Sequence, residues 1–244
     1  MKKVLNRNHL KLIAIITMLI DHVGILLSPI LPPPVYYAFR AIGRIAFPIF
    51  AFFIAEGFYY THNKTKYFSR LAIFAIISEL PYFLFLGGNQ NLIYVNVLFT
   101  FLIAMLLMAL YDKLYRENNY ANKINFFILL FLVLIIIFIL PMVNIALDYG
   151  MFGVMLTLMF YIFKNKRGYA IISFVTLLLI KFTFDILSAN IITFNSFILL
   201  FEVLTIPLIL LYNGKKGKLN TKWLFYWFYP LHLLMLYIIK IIIY

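Results

Sequence analysis

Long apolar segments recur along this sequence and constrain its fold more than any other feature. A helix that crosses the roughly 30 Å hydrocarbon core of a bilayer needs about 20 largely apolar residues. The connections between the segments are short, which leaves no room for a water-soluble domain. The segments lie at about 10–30, 38–61, 69–87, 92–111, 124–142, 146–163, 169–187, 194–213 and 223–243. We therefore predict an all-α fold, a polytopic membrane bundle of about nine transmembrane helices that forms one domain over residues 1–244.

The composition agrees with a membrane protein. Hydrophobic residues make up 65% of the chain and charged residues 12%, whereas soluble domains average about 45–50% and about 25%. Water-soluble enzymes and disordered tails are thereby excluded. The chain has no cysteine, which excludes disulfides, a cysteine nucleophile and thiolate metal sites. Residues 1–30 contain Asp21 and His22 and lack a small-residue cleavage site, so we interpret them as a retained first helix rather than a signal peptide.

The positions of the basic residues predict how the chain is oriented. The net charge is +13, and all but four of the 21 lysines and arginines lie at the N-terminus or in alternate connections. Such alternation marks the cytoplasmic side of a membrane protein. We predict a cytoplasmic N-terminus, an external C-terminus and a place in the inner (cytoplasmic) membrane. The lipid bilayer is then the expected partner, and nucleic acid is not. The basic residues of the cytoplasmic set are Lys2, Lys3, Arg7, Lys11, Lys64, Lys66, Arg70, Lys113, Arg116, Lys123, Lys164, Lys166, Arg167, Lys215, Lys216, Lys218 and Lys222.

Ionisable side chains inside the predicted spans indicate a function within the membrane. Each charge at mid-bilayer costs about 2.5–3.5 kcal/mol on insertion scales, so such groups should face the bundle interior, pair with one another and line a polar cavity. His22 follows Lys11 by eleven residues, which places it roughly 16 Å into the bilayer. The other ionisable residues in or at the ends of spans are Asp21, Arg40, Arg44, Glu56, Glu79, Asp148, Lys181, Asp185, Glu202, His232 and Lys240.

Depth and spacing predict which of these groups meet. Glu79, Glu202 and His232 lie near the depth of His22, with Arg44 slightly closer to the outside. If His22 acts as a base, its second ring nitrogen needs a partner from another helix, for which Glu79, Glu202 and Asp148 are the candidates. Lys181 and Asp185 are four residues apart and are expected to pair locally.

Two classes of protein fit such a pocket. A proton-coupled transporter uses histidine and carboxylates as a relay, and an intramembrane enzyme uses histidine as a base on a bound substrate. The odd number of predicted helices and the lack of an internal repeat argue against the commonest transporter plans.

A series of short motifs resembles one family over about residues 10–235. The chain is similar to the TraX family, the F-pilin acetylation proteins of conjugative systems, in the order and content of these motifs. They are Asp21-His22-Val23-Gly24, Arg40 to Phe58 with Gly43-Arg44, Phe47-Pro48 and Glu56-Gly57, Ser78-Glu79-Leu80-Pro81, Asn96 to Thr100, Asp148-Tyr149-Gly150-x-x-Gly153, Tyr212-Asn213-Gly214-Lys215-Lys216-Gly217 and Tyr229-Pro230-Leu231-His232.

The resemblance implies a multi-pass membrane acetyltransferase that uses acetyl-CoA as donor substrate and no metal. The acceptor would be an amine or a hydroxyl on a pilin-like peptide N-terminus, a glycan or a lipid, so that N- and O-acetylation both remain open. His22 would act as general base or transient acetyl carrier, with Asp21, Glu79 and His232 as further catalytic residues. Residues expected to bind substrate or donor are Arg44, Glu56, Tyr149, Tyr212, Asn213, Lys215, Lys216 and Tyr229. A proton-coupled transporter remains the alternative.

Overall fold

The computed structural model describes residues 3–87, 92–116, 119–189, 194–218 and 222–244, and most of these are helical. The helices are α1 (Arg7–Leu26), α2 (Pro33–Gly43), α3 (Ala46–Tyr60), α4 (Lys64–Leu86), α5 (Val97–Leu110), α6 (Tyr120–Ile139), α7 (Gly150–Ile162), α8 (Arg167–Ala189), α9 (Phe194–Leu200), α10 (Thr205–Leu211) and α11 (Lys222–Ile243). Two short strands, β1 (Ile93–Val95) and β2 (Ile145–Leu147), pair in parallel. The connection 88–91, part of the connection 188–193, Lys2, Glu117 and the side chain of Lys222 lie outside this description.

Within the described residues, seven helical segments are long and apolar enough to cross a membrane, which confirms a multi-pass helical membrane protein. They include the combined α2–α3 segment Pro33–Tyr60 and the very apolar segment Tyr120–Val143. Two shorter apolar segments, Gly150–Ile162 and Ser196–Leu211, coincide with the remaining predicted spans. The total of nine crossings and the side of the N-terminus stay predictions.

Three predicted helix starts differ from the structure. Helix α2 begins at Pro33, whereas the second span was predicted to begin at residue 38. Proline is tolerated there because it lacks only an N–H that the first turn of a helix leaves unpaired. The spans predicted to start at 92 and 146 begin instead with β1 and β2. An apolar tripeptide has the same hydropathy in either conformation, so the sequence pattern could not separate strand from helix here.

Helices α5 and α7 form the centre of the bundle. Met105 and Leu156 are fully buried in one large cluster that α3, α4 and α8 complete. Helix α11 packs along α4, and α1 packs along α2. Helix α6 lies at the edge, since Phe126 and Ile137 are its only buried residues. The polar side chains described below lie where α1, α2, α11 and the β1–β2 pair converge.

Candidate functional site

A polar cavity of about 320 Å³ opens between α1, α2, α11 and the start of α7. Its charged residues and its histidine come from three separate parts of the chain: Asp21 and His22, Arg40 and Arg44, and Asp148. Of the groups expected at one depth, His22 and Arg44 line this cavity, whereas Glu79, Glu202 and His232 do not; Asp21, the neighbour of His22 in the sequence, lines it too.

A direct hydrogen bond between two histidines lies at the edge of this cavity. His22 Nδ1 is 2.8 Å from His232 Nε2, and His232 Nδ1 is 2.7 Å from the carbonyl oxygen of Phe228. A carbonyl only accepts, so we infer that His232 Nδ1 carries a hydrogen and donates it to Phe228. In neutral His232 the Nε2 atom is then the acceptor, and His22 Nδ1 must donate to it. The lone pair of neutral His22 is consequently left on Nε2, and His22 lines the cavity.

This pairing corrects the expectation for the second ring nitrogen of His22. Its partner is His232, and not Glu79, Glu202 or Asp148. Aromatic rings hold the pair in place: the Phe228 ring stacks on His232 with centroids 4.6 Å apart, and Phe85 meets His22 edge-on at 6.0 Å. His232 is 3% exposed, so His22 is the member of the pair that can meet a ligand.

Asp21 is held by two guanidinium groups. Its carboxylate accepts a 2.6 Å hydrogen bond from Arg40 and lies 3.8 Å from Arg44. The close fit depends on Gly43, where an added Cβ would lie 2.2 Å from the Cβ of Asp21. Small residues permit this kind of close approach between membrane helices. Asp21 thereby offsets one of the two positive charges and does not bond the neighbouring His22 ring, as expected for adjacent helical residues that point about 100° apart.

The strand pair places Asp148 and Tyr149 on the cavity wall. The Asp148 amide donates to the Val95 carbonyl at 3.0 Å, and the Thr100 hydroxyl donates to the Asp148 carbonyl at 2.5 Å. Tyr149 has φ 61°, a left-handed conformation that is strained for tyrosine. Its ring stacks on Phe47 with centroids 3.6 Å apart. From the sequence, Asp148 was expected only as a partner for His22. An acidic residue next to a glycine-containing motif at the end of a predicted span could also have indicated a residue of the cavity wall.

Glu79 and Glu202 have other partners. Glu79 accepts hydrogen bonds from the backbone and side-chain nitrogens of Asn96, at 3.2 and 2.5 Å, and does not line the polar cavity. Asn96 in turn caps α5 by accepting from the Leu98 amide. Glu202 is fully buried and pairs with Lys181 at 3.0 Å.

The local pair expected between Lys181 and Asp185 is therefore wrong. Lys181 reaches Glu202 instead, and Asp185 accepts a hydrogen bond from the Ser196 hydroxyl. Spacing along one helix cannot reveal that another helix supplies a nearer partner.

A second cavity, of about 440 Å³, has a basic lining. Arg7, Lys11, Arg70 and Lys216 line it together with Glu56. Glu56 accepts hydrogen bonds from Arg7 at 3.0 Å and from the Tyr212 hydroxyl at 2.9 Å. Among the described residues, the buried Nε atoms of Arg7 and Arg70 have no hydrogen-bond partner.

The motif around residue 212 shapes this second cavity. Tyr212 is 1% exposed and positions Glu56, while its carbonyl accepts from Arg167 at 2.9 Å. The Asn213 side chain accepts from the Lys215 amide at 2.8 Å and so stabilises the loop. Of the predicted binding residues in this motif, only Lys216 lines the cavity.

The two cavities adjoin. Five residues line both of them: Met18, Phe50, Val97, Phe101 and Tyr229. The predicted binding residue Tyr229 therefore lies between the basic cavity and His22. A molecule with an anionic head and a slender arm could occupy both cavities at once. Among the residues that the structure describes, no group of three or more His, Cys, Asp or Glu side chains could hold a metal ion.

Comparison with known proteins identifies relatives along nearly the whole chain. A protein from Dichelobacter nodosus named "Probable fimbrial assembly protein FimC, serogroup H1" is 28% identical, with 93% of this chain and 92% of that protein aligned. An uncharacterized protein of Rickettsia prowazekii is 29% identical over 96% of this chain and 88% of its own length. No solved structure matches. The family model described as "TraX protein" matches residues 6–240, and the chain therefore belongs to the TraX family.

Proposed function

We propose that this protein is a membrane-embedded acetyltransferase that moves the acetyl group of cytoplasmic acetyl-CoA to an amine or hydroxyl acceptor. The observation that carries the proposal is the His22–His232 pair, which leaves one nitrogen of His22 free at the wall of a polar cavity. The family and the fimbrial relative favour a pilus-linked acceptor such as a peptide N-terminus, with a glycan or a lipid as the other candidates.

The basic cavity fits the phosphates of the donor. Phosphate groups are bound by arginine forks and lysine point charges, and Arg7, Lys11, Arg70 and Lys216 provide both types. From this cavity the pantetheine arm would pass the residues shared by the two cavities. Its thioester would then reach His22.

The chemistry follows from the hydrogen-bond direction. His22 Nε2 would remove a proton from the acceptor as the acceptor attacks the thioester carbonyl carbon. The carbon–sulfur bond then breaks, and the departing CoA thiolate takes the proton from the imidazolium. His232 Nε2 accepts the Nδ1 hydrogen throughout, so it orients the ring and stabilises the imidazolium, which is the role of the third residue in a catalytic triad.

Arg44 would stabilise the oxyanion that develops on the thioester oxygen. Asp21 is bonded to Arg40 at 2.6 Å, whereas Arg44 lies 3.8 Å away and keeps donors for another partner. Fixed donors of this kind contribute about 2.7–4 kcal/mol to acyl transfer.

Radiolabelled acetyl-CoA offered to membranes that contain the protein tests the proposal. We expect His22→Ala to reduce transfer by about 10²–10⁴-fold, the contribution of a general base, and His232→Ala to reduce it less. His62→Ala is the matched control, because His62 lies in the exposed connection before α4 and lines neither cavity. Full transfer by His22→Ala would contradict the proposal.

A transient acetyl-histidine is the other way in which His22 could act. In that case radiolabel from acetyl-CoA would stay on the wild-type chain when no acceptor is present, and His22→Ala would retain none. A base would leave the chain unlabelled.

A proton-coupled transporter is the competing function, and the direct bond between two histidines favours it, since such pairs can pass protons. Proteoliposomes separate the two functions. A proton flux without acetyl-CoA that His22→Ala abolishes would support the transporter, whereas acetyl transfer without such a flux supports the enzyme.

A further inference from the structure

The wall between the two cavities is apolar on almost every side. Met18 comes from α1, Phe50 from α3, Val97 and Phe101 from α5, and Tyr229 from α11. We call these five residues the collar. We propose that the collar, and Met18 in particular, limits the transferred acyl group to the size of acetyl. The inference rests on the proposed function and adds the donor's chain length to it.

Met18 lies one helical turn before His22 on α1. It precedes His22 by four residues, so the two side chains share one face of the helix. An acyl chain that turns back from a thioester at His22 would therefore meet Met18 first. Both residues line the polar cavity, in agreement with this placement.

The aromatic members of the collar pack against other rings or are buried in the core. Phe101 is 2% exposed and stacks on Phe47 with centroids 5.6 Å apart, and Tyr229 is 6% exposed. Phe50 meets the ring of Phe225 edge-on at 6.4 Å. These aromatic side chains cannot move aside without disturbing the core. A longer acyl chain would thus gain no room from them.

The space beyond His22 is charged rather than apolar. Asp21, Arg44 and Asp148 line it, and methylenes that displace the solvation of such groups are disfavoured. An acyl chain longer than acetyl would have to turn back against Met18 or extend among these charges. Met18→Ala removes the γ-carbon, the sulfur and its methyl, and so opens apolar room beside His22.

The test measures competition by acyl-CoA thioesters of increasing length. The full chain is placed in lipid vesicles, and acetyl-CoA or butyryl-CoA displaces bound radiolabelled acetyl-CoA. We expect the wild type to prefer acetyl-CoA. In Met18→Ala the preference should shift toward butyryl-CoA by tenfold or more, since each newly buried methylene contributes about fourfold.

Three further variants belong to this experiment, two as controls and one as a second test. Met18→Leu keeps most of the side-chain volume and should keep the wild-type preference. Met235→Ala truncates a methionine that is 50% exposed on α11 and lines neither cavity, and it should also behave as the wild type. Val97→Ala widens the collar from α5 and should shift the preference in the same direction as Met18→Ala, which provides a second route if that variant fails to fold.

The outcomes separate the two proposals. Acyl-CoA binding with the same acetyl-to-butyryl ratio in the wild type, Met18→Ala and Val97→Ala would overturn the collar's role and leave the acetyltransferase proposal standing. If the wild type binds none of the thioesters, the donor assignment fails, and the collar's role fails with it.

Discussion

Replacing Gly43 with alanine tests whether the close approach of α1 and α2 holds the charged side of the polar cavity together. The added Cβ would lie 2.2 Å from both the Cβ and the Oδ1 of Asp21. Carbon atoms in contact are about 3.5–4.0 Å apart, so the two helices must separate by roughly 1.3 Å or more. The side chain of Asp21 cannot relieve this by rotation alone, because its own Cβ is one of the obstructed atoms.

The energetic effect follows from two terms. Overpacking of a tight interface costs about 1–3 kcal/mol. A shift of this size also stretches the 2.6 Å bond between Arg40 and Asp21. Loss of a partner costs about 3–5 kcal/mol in a fully buried ion pair and less in this partly buried one. Partial loss of the pair therefore gives an expected destabilisation of about 2–5 kcal/mol.

Thermal unfolding of the purified protein in detergent measures this loss, and Gly168→Ala is the matched control. Gly168 lies in α8, and a Cβ there would have no neighbour within 4 Å. Alanine is favoured over glycine in helices by about 0.5–1 kcal/mol, so Gly168→Ala should leave the midpoint unchanged or raise it. If Gly43→Ala unfolds at the same temperature as Gly168→Ala, the close packing that we describe is not present in the folded protein.

Three further predictions concern other parts of the molecule. Lys181→Met should destabilise the protein by about 3–5 kcal/mol in thermal unfolding, because it leaves the fully buried Glu202 without its cation. The double variant Lys181→Met with Glu202→Gln should recover part of this loss, because the unpaired charge is removed. Asn96→Ala removes the N-cap of α5 and the partner of Glu79, and we expect it to cost about 1–3 kcal/mol in the same assay, whereas Asn119→Ala, which removes the cap of the peripheral α6, should cost no more than about 1 kcal/mol. A reporter fused after Tyr244 that is active only outside the cytoplasm should be active, since nine spans and a cytoplasmic N-terminus place residue 244 outside; strong cytoplasmic activity would refute that topology.

Hydropathy was sufficient to locate the helical segments, but it did not show where the backbone within a segment changes from helix to strand or breaks. The position of α1, α4, α6, α8 and α11 follows from runs of apolar residues that only a membrane accommodates at this length. The strands β1 and β2 were not predicted, because a run of three apolar residues is too short to show the periodicity of a strand or a helix. The break at Arg44 and Ile45 between α2 and α3 also lies inside one continuous apolar run.

Depth arguments located part of the candidate site. Counting residues from the membrane surface placed His22 and His232 at one level, and the structure joins them at 2.8 Å. The same argument also grouped Glu79 with them, yet Glu79 turns toward Asn96. Depth fixes one coordinate of a side chain, whereas the direction in which it points depends on which helices are neighbours. That information lies in packing between distant segments.

The two halves of the site come together at very different stages of synthesis. Asp21 meets Arg40 after only 19 further residues, whereas the histidine that bonds His22 follows it by 210 residues. At about 5–20 residues per second, a ribosome supplies the first partner within roughly 1–4 s and the second after roughly 10–40 s. The carboxylate is thus neutralised while the nascent chain is still short. The hydrogen bond of the imidazole can form only after α11 has been synthesised and has entered the bundle.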